Sequence, residues 1–379
     1  MSYTHLPLSL YIHIPWCEKK CPYCDFNSHV VKDVIEERQY IEKLLVDLHQ
    51  DISLIQDRVV STIFIGGGTP SLFQADSFAY LLNEIKNRIT VSDDCEITIE
   101  ANPESVTEEK LSGYLNAGIN RISIGVQSFN HQHLIQLGRI HDANKAIQAV
   151  AIAKKVGFSR INIDLMHTLP KQYVKDSLSD LKQALLCDTT HLSWYQLTIE
   201  PNTQFGSKPP VLPDEETEWS IYEAGNQLLK NEGFQAYEIS AWSKNDPCRH
   251  NINYWLYNDY LGIGCGAHSK ITLSDRRIIR FNKIKHPKGY LKTEKNFIYQ
   301  QYDVLPSEQL FEYFMNRFRL YSPVHLTEII TRTHLDVEDI LPYLEIAEKR
   351  LLLVYANNRI RLTPKGHQYL NQLLKIFIE

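Results

Sequence analysis

From the start of the chain to about residue 240, short β-branched apolar runs alternate with amphipathic stretches. The runs Leu8–Ile14, Thr62–Ile65, Glu96–Glu100, Arg121–Val126, Arg160–Leu165 and His191–Ile199 have the length and composition of strands. Between the first two, Val34, Ile35, Ile41, Leu44, Leu45 and Leu48 recur at helical spacing and mark one apolar face. Thr107, with Glu108 and Glu109 behind it and Gly118 beyond, carries the start and stop signals of a helix, and Asp142–Val156 before Gly157 repeats the form. Residues 175–187 and 215–232 supply two more helices, the second ended by Gly233. Six βα units in series predict an α/β fold with a parallel sheet closed as a barrel or part-barrel, because parallel neighbours need helical crossovers.

After residue 240 the rhythm breaks. Residues 241–270 are rich in Trp, Tyr, Asn, Gly and Cys, and Lys270 to Lys295 is strongly basic. From about 305 the pattern turns helical. A short strand pair, Leu351–Val354 and Arg359–Leu362, then flanks Asn357 and Asn358, and a last helix follows Pro364. Three regions are therefore expected: a core at 1–240, a connecting region at 241–304, and a mostly helical, winged-helix-like domain at 305–379.

Length and charge narrow the function. At 379 residues the chain can bury one large core and a smaller one. Its net charge of −5, and the even balance of basic and acidic residues after 305, lack the electrostatic footprint of a nucleic-acid binder. The opening MSYTHLPLSL has no basic n-region or apolar h-region, and seven cysteines are an odd number. Both features predict a cytoplasmic chain with unpaired thiols. No apolar run approaches the ~20 residues of a membrane span, which leaves peripheral contact as the one expected mode of membrane association.

Cys17, Cys21 and Cys24 form C-x3-C-x2-C directly after the first strand. A structural zinc site closes four positions, and here it would have to borrow His13 or His29. A [4Fe–4S] cluster on three cysteines instead leaves one iron open to a chelating substrate. Further along, Ile65 is followed by Gly66-Gly67-Gly68-Thr69-Pro70, a glycine run that permits close backbone approach to a ligand, and no G-K-[ST] of a phosphate loop follows it. Later runs end in Glu100, Gln127 and Asp164. In β/α barrels such strand ends converge on one mouth.

YIHIPWCEKKCPYCDF resembles the radical S-adenosylmethionine (SAM) superfamily, and within it the coproporphyrinogen dehydrogenase-like branch. The likeness extends through HLSWYQLTIEPNT and DYLGIGCGAHS, nearly the whole chain. It implies a partial (β/α)6 barrel holding a [4Fe–4S] cluster on Cys17, Cys21 and Cys24. The open iron would be chelated by SAM, whose reductive cleavage gives a 5′-deoxyadenosyl radical. It also assigns Tyr11, Gly67, Gly68, Thr69, Glu100, Gln127, Arg139 and Asp164 to SAM contacts, and places Tyr23 against cluster and SAM. No catalytic residue is assigned.

Within the branch, the porphyrinogen oxidase places another cysteine where Phe26 stands, and carries an extension before its first strand, whereas here Tyr11 is almost at the start. His250-Asn251-Ile252-Asn253-Tyr254-Trp255 matches the H-N-x-x-Y-W of the branch's haem chaperones. Imidazole is a good axial ligand, so His250 is the expected haem ligand, with Tyr254 and Trp255 against the macrocycle. Cys248 and Cys265 are further thiols that could approach iron, while Cys95 and Cys187 are expected in packing. The expected function is a haem chaperone that transfers haem to acceptor proteins, membrane respiratory enzymes among them, with an electron donor serving the cluster and room for a homodimer. The alternative is an oxygen-independent coproporphyrinogen III dehydrogenase. Whether the chain is an enzyme stays open: the radical machinery is intact, but coproporphyrinogen oxidation is disfavoured. The basic stretch could face haem propionates, an acceptor protein or anionic lipid.

Overall fold

The computed structural model describes residues 6–378. Strand β1 (Leu8–Ile14) runs into the cysteine loop, which is bracketed by a two-residue parallel pair, β2 (Trp16–Cys17) and β3 (His29–Val30). Then come β4 (Val60–Gly67), β5 (Val91–Ala101), β6 (Arg121–Gln127), β7 (Arg160–His167) and β8 (His191–Gln196). Crossover helices Glu37–Ile55, Ala75–Lys86, Glu108–Asn116, Ala143–Val156 and Val174–Leu186 join them. The six long strands lie in the order β1-β4-β5-β6-β7-β8, all parallel. Their continuous apolar runs are explained by burial on both faces: in β1, six of seven residues are buried.

The helix signals in the sequence are in use. Thr107 accepts from Lys110 N at 3.2 Å and Asp142 from Lys145 N at 2.9 Å. One start differs from expectation. The first helix begins at Glu37, so Val34 and Ile35 precede it, and Val34 is 86% exposed.

The sheet continues on both sides of the parallel block. Beyond β8, β10 (Ala241–Ser243) and β9 (Gln235–Glu238) pair antiparallel. Beyond β1, β11 (Asp259–Ile263) runs parallel to it and leads into an antiparallel meander of β12 (His268–Thr272), β13 (Ile278–Lys283) and β14 (Ile298–Asp303). No strand was expected at 241–304. Gly262 and Gly264 dilute the apolar signal of β11, and β14 is mostly polar because it forms the exposed edge.

Four of the nine basic residues from Lys270 to Lys295 are paired with carboxylates in this region. Lys270 is buried against Asp259 at 3.0 Å, and Lys283 against Asp47 at 2.6 Å and Asp51 at 2.5 Å. Arg280 pairs with Glu312, and Arg277 with Asp275 and Asp303. Lys270 and Lys283 are buried fold anchors, whereas Lys285, Lys288, Lys292 and Lys295 are exposed.

Helices Pro306–Arg317, Leu326–Thr333 and Val337–Lys349 pack on a three-stranded sheet, β15 (Val324–His325), β17 (Arg359–Leu362) and β16 (Leu353–Ala356), in the order β15-β17-β16. Asn357 and Asn358 both sit at positive φ in the β16–β17 turn, as a tight two-residue hairpin requires. The core here includes Phe314, Phe318 and Phe377, and also Tyr257 and Ile278 from the preceding region. Among the described residues no helix is long and apolar enough to cross a membrane.

Candidate functional site

A cavity of about 480 Å³ opens where the cysteine loop meets the carboxyl ends of the parallel strands. Cys17, Cys21, Tyr23, Cys24, Gly67, Gly68, Thr69, Glu100, Gln127, Arg139 and Asp164 all line it. Side chains alternate across a strand, so every second residue of neighbouring strands reaches the same face. Ser123, Gly125 and Gln127 of β6, Asp164 and Met166 of β7, and Ser193 and Tyr195 of β8 are such sets. Ser123, Ser193 and Tyr195 escaped sequence reasoning, although Ser123 stands four residues before Gln127 on one strand and Ser193 and Tyr195 are an i, i+2 pair on the next but one, which was the available signal.

Beneath the cavity these residues form a polar ladder. Ser123 Oγ donates to Asp164 Oδ2 at 2.8 Å, and Asn162 Nδ2 donates to Asp164 Oδ1 and to Ser123 Oγ, each at 2.8 Å. Gln127 holds φ at 70° just past a bulge, a conformation costing about 1–3 kcal/mol, and its Oε1 accepts from the Tyr195 hydroxyl at 2.7 Å. Glu100 accepts from Gly67 N at 3.1 Å. Burial, and then the charge of Asp164, push its carboxyl up to about 8. Burial also raises Asp164.

The cysteine loop is fixed from several sides. Cys24 N donates to Cys21 O at 3.2 Å, and Thr69 N and Gly68 N donate to Trp16 O and Ile14 O, each at 2.7 Å. A Cβ on Gly68 would lie 3.0 Å from Cys17 Sγ and 2.5 Å from Trp16 O, and one on Gly67, at φ +116°, would strike the His13 ring. Both glycines are therefore dictated by close approach. Burial pushes the Cys17 and Cys24 thiols up. Arg139 Nη1 donates to Cys21 Sγ at 3.6 Å, Nη2 donates to Gly125 O at 2.8 Å, and Nε is buried without a partner among the described residues.

This donor set fits a cubane cluster with one ligand site open. Each thiolate of such a cluster meets a different iron, so the sulfurs need to face one cavity without converging on a point. Among the described residues no three Cys, His, Asp or Glu side chains converge on a single ion position. The imidazoles that would complete a zinc site are turned elsewhere: His13 Nε2 donates to Asn27 O at 2.9 Å and His29 Nε2 to Lys285 O at 3.1 Å. The unpartnered Arg139 Nε suits the carboxylate of a chelating amino acid.

A second cavity, of about 710 Å³, adjoins the first. Tyr11 belongs to this one and not to the first, with its hydroxyl on His13 Nδ1 at 3.0 Å. Gly67, Glu100, Asp25, Phe26 and Trp255 line both. Tyr254 lines the second. His250 lines neither: it is fully buried, its Nδ1 hydrogen-bonded with Thr62 Oγ1 at 2.8 Å and its Nε2 with the Tyr254 hydroxyl at 2.9 Å. With both ring nitrogens in use, His250 offers no lone pair to iron in this arrangement. Cys248 and Cys265 are likewise buried away from both cavities, while Cys95 is buried and Cys187 half-buried.

The segment 249–255 is a helix, and Glu96, which sequence reasoning passed over, anchors it. Its carboxylate accepts from Arg249 N at 3.1 Å and His250 N at 3.0 Å, and pairs with Arg160 at 2.5 Å. Burial opposes that charge, but Arg121, Arg160 and the two backbone donors outweigh it and hold the carboxyl below its usual range.

Residues 11–181 match the radical SAM superfamily. The chain is 50% identical over 377 residues to the heme chaperone HemW of Haemophilus influenzae, covering 98% of each. It is 48% identical over 373 residues to the heme chaperone HemW of Escherichia coli K12, again covering 98% of each. Among solved structures it resembles the E. coli coproporphyrinogen III oxidase HemN, a radical SAM enzyme, with a TM-score of 0.83 and 23% identity over 99% of this chain and 91% of that one. That likeness carries the fold alone, whereas the near-full-length identity carries the family. The chain belongs to the HemW family of the radical SAM superfamily.

Proposed function

We propose that this protein is a haem chaperone, which binds haem and passes it to acceptor proteins. One observation carries the reading: an aromatic cavity built on Tyr254 and Trp255 shares a wall with the cysteine-lined cavity, in a chain whose near-full-length relatives are heme chaperones. Cys17, Cys21 and Cys24 would hold a [4Fe–4S] cluster and leave one corner for SAM. Arg139 Nε faces no competing partner and suits SAM's carboxylate, the Gly67–Thr69 backbone its amino group, and Glu100 and Asp164 its ribose hydroxyls. Gln127 and Tyr23 close the cavity around it, and Tyr11 supports the shared wall from the second side. When bound, the cluster supplies one-electron reduction at the SAM sulfonium. An electron donor for that cluster completes the partner set.

Phe26 bears on the choice between transfer and oxidation. It is 58% exposed and lines both cavities, so it offers an apolar rim where the related oxidase motif has a thiol. The test uses the anaerobically reconstituted chain with SAM. Haemin should bind with a shifted Soret band and leave the protein for a haem-free acceptor. Coproporphyrinogen III under the same conditions should yield no protoporphyrinogen; its sustained formation would make the chain a dehydrogenase.

A further inference from the structure

We propose that haem iron is bound by His268 in the second cavity, and that His250 is a positioning residue behind Tyr254. This rests on the haem-binding reading and assigns its ligand. An axial imidazole must present an unoccupied ring nitrogen to the space that holds the macrocycle. Three imidazoles lie in or behind this wall. His13 has both nitrogens in hydrogen bonds, to Tyr11 and Asn27, and is buried. His250 has both in hydrogen bonds and does not reach the cavity. His268 lines the cavity and is exposed, and among the described residues neither of its ring nitrogens is hydrogen-bonded.

His268 is also held where a ligand should be held. It opens β12 and pairs in register with Asn282 of β13, so its backbone belongs to the sheet and not to a loop. Partial desolvation against the cavity wall, with Lys285 and Arg280 nearby, depresses its pKa, which favours the neutral imidazole that donates a lone pair to iron. The cavity, about 710 Å³, falls within the ~300–1,000 Å³ typical of small-molecule sites. Tyr254, Trp255, Tyr260 and Tyr302 give it flat apolar walls, and Met315 adds a thioether, a second known haem ligand type.

His250 then has a defined task. Its Nε2 holds the Tyr254 hydroxyl at 2.9 Å with the rings edge-on at 4.8 Å, and Tyr254 in turn stands perpendicular to Tyr260 at 4.6 Å. Fixing Tyr254 fixes the aromatic wall against which the macrocycle lies.

The assay is titration of the full chain with haemin, read in the Soret and visible bands, beside a parallel titration with metal-free protoporphyrin IX. His268→Ala should lose the imidazole-ligated spectrum and bind haemin at least ~10-fold more weakly, and free imidazole should restore the spectrum. Protoporphyrin IX, which has no iron, should bind His268→Ala and the parent alike. His250→Ala and the gentler His250→Gln should keep the imidazole-ligated spectrum while weakening both porphyrins together. An unchanged spectrum in His268→Ala, or its loss in His250→Gln with protoporphyrin binding intact, overturns the assignment. If the parent chain itself binds no haemin, it is the haem-binding reading that fails.

Discussion

Glu100 and Asp164 face one buried cavity, and neither carries an ion pair among the described residues. The carboxyl of Glu100 is pushed up to about 8, from an ordinary value near 4.5. Below pH 4.5 folded and unfolded chains both hold the proton, and the site carries no penalty. Between 4.5 and 8 the folded chain keeps a proton that the unfolded chain has lost, and above 8 it must ionise in place. The stability associated with the neutral carboxyl is thus lost as pH rises through about 8. In the chain free of cluster and SAM, Glu100→Gln should therefore melt above the parent at pH 9 and together with it at pH 4. Parallel melting curves at both pH values would contradict the shift. At this scale the sequence was most legible where a polar residue interrupts an apolar run: Glu100, Gln127 and Asp164 stand out against Ile, Val and Leu. It was least legible where chemistry depends on what a side chain already touches. Nothing in H-N-I-N-Y-W records that both nitrogens of His250 are spoken for, or that His268, one residue in a glycine-rich run, has neither in use among the described residues.

The helix 249–255 illustrates what elements owe to residues far away in sequence. Glu96, buried in the middle of β5, receives its first backbone N–H groups and neutralises Arg160. In the strand run C-E-I-T-I-E, Glu96, Thr98 and Glu100 share one face; Glu100 lines the cavity, and Glu96 fastens the helix that carries Tyr254 and Trp255. Glu96→Ala should cost about 3–5 kcal/mol in urea unfolding, the usual effect of leaving a buried partner uncompensated. Because its carboxyl is held below the usual range, the stabilisation is present above pH 4.5 and is lost as pH falls through the folded value. An unfolding free energy insensitive to the substitution would remove Glu96 as the anchor. The parallel strands were legible because burial on both faces leaves a continuous apolar signature. The meander β11–β14 was not, since its strands are short, broken by glycine or polar at the edge.

Across the whole molecule, the meander is bolted to the barrel by buried charge. Lys283 of β13 reaches Asp47 and Asp51 of the first helix, and Asp47 also accepts from Gly264 N at 2.9 Å and the Tyr290 hydroxyl at 2.7 Å. Lys283→Met would leave two carboxylates facing each other without a cation. A loss of about 3–5 kcal/mol is expected, with exchange protection lost first in β12 and β13. Uniform loss of protection over the whole sheet would show instead that the meander does not open by itself.

Phe26, Trp255 and Glu100 look into both cavities. A wall with two faces cannot be tuned for one tenant alone. Any rearrangement of these side chains by an occupant on the cysteine side changes the free energy of occupancy on the aromatic side, and linkage makes the effect symmetric. If SAM tightened the hold on haem tenfold, about 1.4 kcal/mol, haem would tighten the hold on SAM by the same factor. Loading and release of the cargo would then be legible as a change in cofactor affinity.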